Sequence, residues 1–134
     1  MNKNHLRILD ANLNRLREGI RVVEDIFRYI HNDSQTASKL KELRHLSRID
    51  LYDDLLSSRD IKNDVLKSTT KSESTRADIN SILIANFKRA QESARVLEEF
   101  TKMISGEISD KFKHIRYELY DLEIVLTKIT SNSK

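Results

Sequence analysis

The 134-residue chain contains no cysteine, no proline, no tryptophan and only two glycines. Without cysteine there is no disulfide framework, no thiolate zinc site and no thiol redox chemistry. Sandwiches, barrels and dinucleotide-binding units need glycine and proline to punctuate their turns, so these classes are disfavoured as well. No apolar run approaches the roughly 20 residues that span a bilayer, and the opening MNKNHLRILD lacks the apolar stretch of a signal peptide. The expectation is a cytoplasmic protein with no membrane partner. Charge of one sign is not in excess either: 24 basic and 21 acidic residues alternate along the chain to a net +3. That pattern offers no basic arm or stripe to nucleic acid and leaves small anions as candidate ligands.

What is present is the pattern of an amphipathic helical bundle, with 34 % charged and 38 % hydrophobic residues. The length predicts one domain over residues 1–134. Four periodic segments stand out, at roughly 5–31, 34–57, 76–105 and 109–130. The first carries Leu6, Leu9, Leu13, Leu16, Ile20, Val23 and Phe27 at three- and four-residue steps, with Asn4 as a candidate cap. Asp33 or Ser34 is placed to cap the second. Ser105-Gly106 reads as a helix stop and Ser109 as the cap of the fourth segment. The segments pair into hairpin one, 5–57, and hairpin two, 76–130. Between them, residues 58–75 are polar and aperiodic and predict a long central loop. Structureless connections of this length are usually functional or linkers. The cluster of Arg59, Asp60 and Asp64 in its first third favours the functional reading.

An internal repeat organises the chain. ILDANLNRLREGIRVVEDIFRYI at 8–30 aligns without gaps to ILIANFKRAQESARVLEEFTKMI at 82–104, with 10 of 23 positions identical. Half of the matches are polar, among them Asn12/Asn86, Arg15/Arg89, Glu18/Glu92 and Glu24/Glu98. The second helices align too, Leu40-Lys41-x-Leu43-Arg44 over Phe112-Lys113-x-Ile115-Arg116. The expected architecture is therefore all-α: a duplicated helical hairpin forming a four-helix bundle about a pseudo-twofold axis.

Helical spacing places Asn12 and Arg15, with Asn86 and Arg89, in the apolar stripes, and Glu18 and Glu92 beside them. Arg44 and Arg116 fall among apolar residues of the second helices. A buried guanidinium needs a carboxylate, a carbonyl or a bound anion. Two readings follow. Arg15 pairs with Glu18 and Arg89 with Glu92, fixing a polar bundle, or symmetric arginines and asparagines frame a pocket where guanidinium forks bind phosphate. Gly19, inside a helix, indicates either a close helix crossing or room for a planar ligand. The four histidines show no metal-ligand spacing. Carboxylates at Asp60, Asp64, Glu92, Glu98 and Glu99 suit magnesium held jointly with phosphates.

The run DANLNRLREGIRVVED, then KELRH, SRDIKNDV and ANFKRAQESARVLEEF resembles the all-helical hydroxymethylpyrimidine-phosphate kinase domain of thiamin biosynthesis. That domain occurs alone or fused in front of thiamin-phosphate synthase, and the resemblance runs from about residue 5 to about residue 123. It implies transfer of the ATP γ-phosphoryl group to 4-amino-5-hydroxymethyl-2-methylpyrimidine phosphate, with magnesium as cofactor and ATP as co-substrate. On that footing Arg15, Arg89 and Arg59 act on the phosphates, and Asn12, Asn86, Arg44 and Arg116 bind substrate. Asp60 and Asp64, with Glu18 or Glu92, hold magnesium. No Walker motif or glycine-rich loop is present, so side chains must do the phosphate binding. Where the family pattern has D-V-G-T, this chain has Asp64-Val65-Leu66-Lys67, and Lys67 offers a charge in place of the glycine's backbone contact. Two other readings are a non-catalytic partner module of thiamin-phosphate synthase and an all-helical nucleotide pyrophosphohydrolase. A homo-oligomer is compatible with all three.

Overall fold

The computed structural model describes residues 2–69 and 75–132; residues 70–74 of the expected central loop, and residues 1, 133 and 134 of the expected domain, lie outside them. The fold is all-α, with no strand among the described residues. The helices are α1 Lys3–Tyr29, α2 Ser34–Leu46, α3 Tyr52–Ser58, α4 Ile79–Phe100, α5 Gly106–Glu123 and α6 Val125–Asn132, with a 3-10 turn at Thr101–Met103 after α4. None is long and apolar enough to cross a membrane.

Side-chain caps set the helix starts, and they differ in detail from the sequence expectation. Asn2, not Asn4, caps α1, accepting from the His5 amide at 2.9 Å. Asp33 accepts from the Thr36 amide at 3.0 Å, and its repeat counterpart in hairpin two, Ser105, accepts from the Ile108 amide at 3.1 Å. Ser105-Gly106 is therefore a helix start and not a stop. Ser109 lies inside α5, where its hydroxyl donates to the Glu98 carbonyl at 2.8 Å and pins α5 to the end of α4. The turn between α1 and α2 is closed by Asn32 in the left-handed region, φ 53°, which asparagine tolerates better than most residues. The Asp33 amide there reaches back to the Phe27 carbonyl at 2.9 Å.

The expected single helix over 34–57 is two helices. At the break the buried Ser47 hydroxyl donates to the Arg44 carbonyl at 2.6 Å, and the Arg48 carbonyl is taken by Lys111 Nζ from α5 at 2.6 Å. Burial holds the Lys111 ammonium below its ordinary pKa. Ile49 and Leu51 turn inward against the core, and α3 returns the chain toward α1.

Leu9, Leu16, Ile20 and Phe27 of α1 form one hydrophobic cluster with Leu40, Leu83, Phe87, Leu97, Phe112 and Leu119, all fully buried. Burial of each such side chain contributes about 1.5–3 kcal/mol. α1 packs on α2 and α4 on α5 as two hairpins, and the hairpins meet through α1 and α4. These two helices run antiparallel, since the His5 ring lies 6.4 Å from the Phe100 ring while Gly19 faces Asn86 and Ala90. A Cβ at Gly19 would stand 3.2 Å from the Asn86 carbonyl oxygen. Of the two readings of Gly19, the geometry is that of the close crossing.

Two buried ion pairs repeat across the hairpins. Arg44 donates to both oxygens of Glu24 at 2.8 and 3.2 Å, and Arg116 reaches Glu98 Oε1 from Nε at 3.0 Å and from Nη2 at 2.9 Å. The Glu24 bond holds the Arg44 guanidinium above its ordinary pKa; for Arg116, burial opposes the Glu98 bond, yet the net direction is also upward. Arg95 gives Glu98 a further partner at 2.9 Å. Matched charges tie each second helix to its own first helix.

Candidate functional site

Among the described residues no helix covers the flank of the α1/α4 crossing that carries Arg15 and Arg89. The first part of the central loop lies across it instead, so these two arginines, although in the stripe by spacing, are exposed. Neither is paired with Glu18 or Glu92, and neither guanidinium has an ion pair or hydrogen bond among the described residues. Two adjoining pockets result. The first, about 760 Å³, lies between the N-terminal half of α1 and the loop, and takes Arg7, Asp10, Glu18, Arg59, Asp60 and Asn63. The second, about 640 Å³, lies between the loop and α4, and takes Leu66, Lys67, Thr69, Glu92, Ser93 and Val96. Asn12, Arg15, Ile61, Asp64 and Arg89 line both. Both volumes fall in the range of ordinary small-molecule sites.

The loop is held by Arg59, whose Nε and Nη2 donate to the two oxygens of Asp10 at 2.8 Å each. This fork holds the Arg59 guanidinium above its ordinary pKa. Arg7 adds a long contact to the Asp60 carbonyl at 3.4 Å. Asp60 itself accepts from the Asn63 side chain at 2.7 Å and the Asn63 amide at 3.1 Å, bonds that hold its carboxyl below the usual aspartate range. Asp64 accepts from the Leu66 amide at 2.9 Å, and Lys67 Nζ donates to the Lys62 carbonyl at 3.1 Å. A loop without glycine thus builds its turns from Asx-type side-chain bonds.

Of the residues singled out from sequence, Asn12, Arg15, Glu18, Arg59, Asp60, Asp64, Arg89 and Glu92 come together around the pockets. Asn86 does not line either one; its side chain donates to the Ile82 carbonyl at 2.9 Å, as Asn12 does to Ile8. Arg44 and Arg116 lie in the interior ion pairs and face neither pocket. Helical spacing showed that they point inward but not that Glu24 and Glu98, matched in the same repeat, were waiting for them. Sequence reasoning missed Asp10, Arg7 and Ser93. For Asp10 a signal existed, because the repeat pairs this buried aspartate with the exposed Ile84.

The donor set bears on a metal. Among the described residues no three acidic or histidine side chains converge. Asp60 and Asp64 do line one pocket, which suits a cation held by one or two carboxylates and completed by ligand phosphates, the habit of magnesium.

The sequence is similar to thiamine-phosphate synthases: 42 % identical over 118 residues to that of Synechocystis sp., covering 87 % of this chain and 34 % of the relative. Against that of Thermosynechococcus vestitus it is 38 % identical over 122 residues, 90 % of this chain and 35 % of the relative. Against that of Rhodopirellula baltica it is 37 % identical over 139 residues, 96 % and 37 % respectively. The chain spans about a third of the length of these relatives. No solved structure matches. Residues 7–125 match the ThiD2 family, and the chain belongs to that family.

Proposed function

We propose that the chain acts in thiamin biosynthesis as a kinase converting 4-amino-5-hydroxymethyl-2-methylpyrimidine phosphate to its diphosphate with ATP and magnesium. The observation that carries this reading is the placement of Arg15 and Arg89. Two symmetry-related guanidinium groups, unpaired among the described residues, line both halves of a double pocket. Phosphoryl transfer requires positioned cations more than covalent chemistry by the protein. An oxygen of the substrate phosphate attacks the γ-phosphorus and forms the new P–O bond. The bond from the γ-phosphorus to the β,γ-bridging oxygen breaks, and ADP leaves with that electron pair. The nucleophile is already anionic, so no strong general base is required. Arg15 and Arg89 screen charge on the transferring group, and Arg59, fixed by Asp10, binds the donor phosphates. Asp60 and Asp64 are the carboxylates that would hold magnesium, which when bound neutralises phosphate charge.

The test is a coupled assay with the pyrimidine phosphate, ATP and magnesium, in which product is read as thiamin phosphate after addition of a separate synthase and thiazole phosphate. The expected result is product that disappears with EDTA and in Arg15→Ala and Arg89→Ala. Pyrophosphate release from nucleoside triphosphates alone would move the assignment to a pyrophosphohydrolase. That the relatives are thiamine-phosphate synthases supports a second reading, a helical partner module of a thiamin-phosphate synthase. Folded protein that binds a synthase and turns over nothing would establish it.

A further inference from the structure

The proposed kinase reaction needs sites for two phosphate-bearing ligands, and resting on that reading we infer that the two pockets divide them. The first takes the triphosphate of ATP and the second takes the pyrimidine monophosphate, the two meeting at Arg15 and Arg89.

Two arginines and an aspartate separate the pockets. Beyond the shared Arg15, Arg89 and Asp64, the first adds Arg7 and Arg59 with the carboxylates Asp10, Glu18 and Asp60; Asp10 is taken by Arg59, and Asp60 stands on the same pocket as Asp64 for a phosphate-bound cation. Among the described residues the second adds one cation, Lys67, whose ammonium donates to the Lys62 carbonyl, and one carboxylate, Glu92. A triphosphate that carries its own divalent cation belongs where two further arginines and a pair of aspartates line one pocket.

The broken repeat points the same way. A strict pseudo-twofold would make the two sides of the crossing alike. Asp10, which fixes Arg59 by two 2.8 Å bonds, has Ile84 as its counterpart, so only one side can anchor a third arginine in this manner.

The second pocket has the complementary character. Glu92 can accept from an exocyclic amine, the hydroxyls of Ser93 and Thr69 can donate to ring nitrogens, and Val96 with Leu66 offers apolar surface to a methylated ring. These are the groups of a flat, uncharged aminopyrimidine, with room for one phosphate directed at the shared arginines. Transfer is confined to the place where the pockets meet, because only residues there touch both.

The experiment measures equilibrium binding to the full chain by calorimetry. The probes are the β,γ-imido analogue of ATP with magnesium and, separately, the pyrimidine monophosphate. Arg7→Gln, on α1 and outside the fork that holds the loop, is expected to weaken the nucleotide analogue by about tenfold or more and the pyrimidine phosphate by less than about twofold. Glu92→Gln, with Lys67→Ala as a second variant of that pocket, is expected to show the reverse. None of the three side chains is buried, and circular dichroism verifies the fold. Both ligands should also bind together. Mutual displacement, equal losses for both ligands or the swapped pattern would overturn the division. Failure of either ligand to bind the wild-type chain, alone or with the other present, overturns the kinase reading itself.

Discussion

Arg59, the first residue after α3, is joined to Asp10 of α1 by a two-bond fork at 2.8 Å. A chain segment 49 residues downstream is thereby fixed over the α1/α4 crossing. Asp10 is nearly buried while Arg59 keeps 40 % of its side chain exposed, so the guanidinium rehydrates once released. Asp10→Asn is therefore expected to cost only about 1 kcal/mol of global stability, the scale of a partly exposed ion pair. Its larger effect is local. Trypsin cleavage in the loop, at Arg59, Lys62 or Lys67, should accelerate several-fold with little change in thermal midpoint. Unchanged cleavage would show that the loop is held by other contacts.

The interior pairs behave differently from the pocket arginines. Arg44→Ala strands Glu24, 2 % exposed, without its counter-charge, and is expected to cost about 3–5 kcal/mol in urea unfolding. Arg116→Ala should cost less, because Arg95 remains bonded to Glu98 at 2.9 Å. Arg15→Ala and Arg89→Ala remove exposed groups that are unpaired among the described residues, and should stay within about 0.5 kcal/mol of wild type while abolishing turnover. The contrast separates residues that build the bundle from residues that serve the pocket. A large stability loss for Arg15→Ala would place it with the former.

The bundle was legible in the sequence because two independent signals agreed. Three-and-four spacing marked the helices, and the 74-residue offset between Asn12 and Asn86 marked the duplication. The break between α2 and α3 was not legible, because Leu51 and Leu55 keep helical spacing after Leu40 and Leu43 and no glycine or proline interrupts them. What breaks that helix is tertiary: the Ser47 hydroxyl on the Arg44 carbonyl and Lys111 on the Arg48 carbonyl. The site shows the same division. Residue types and repeat singled out Arg15, Arg89, Arg59, Asp60 and Asp64, and the fold brings them to one place. A helical wheel gives a face and not the neighbour that covers it, so Arg44 and Arg116 looked equivalent to the pocket arginines until Glu24 and Glu98 were seen against them.

Acid sensitivity has a local source at the start of α2. Asp33 caps that helix, and the Thr36 hydroxyl bond holds its carboxyl below the ordinary value of 3.8, with burial opposing. A depressed folded-state pKa contributes stability that is full above the unfolded value and is lost as pH falls through the folded one. The window therefore lies below 3.8. Asp33→Asn retains a good capping side chain but cannot titrate. The wild type should exceed Asp33→Asn in thermal midpoint near about pH 7, and the gap should close toward about pH 3. A gap independent of pH would show that the carboxylate charge contributes nothing to the cap.

The two glycines give opposite expectations for one substitution. A Cβ at Gly106, the first residue of α5, meets nothing within 4 Å, so Gly106→Ala gains from the reduced entropy of the unfolded chain, about 0.4–1 kcal/mol. Gly19→Ala should gain about 1 kcal/mol from helix propensity on the same reasoning. It meets the Asn86 carbonyl oxygen at 3.2 Å and the Ala90 Cβ at 3.4 Å, however, and both belong to the middle of α4, where neither can rotate away. Relief requires the two helices to move apart and loosens contacts along the crossing, a cost of about 1–3 kcal/mol for overpacking. The net effect of Gly19→Ala is therefore neutral to destabilising, and a branched side chain such as Gly19→Val should be clearly worse. Because the same crossing sets the spacing of Arg15 and Arg89, Gly19→Val should lose turnover at temperatures where it is still folded. Thermal melts beside activity at about 20 °C separate the two effects, since a protein that loses stability and keeps full turnover would show that the arginine spacing does not depend on this contact.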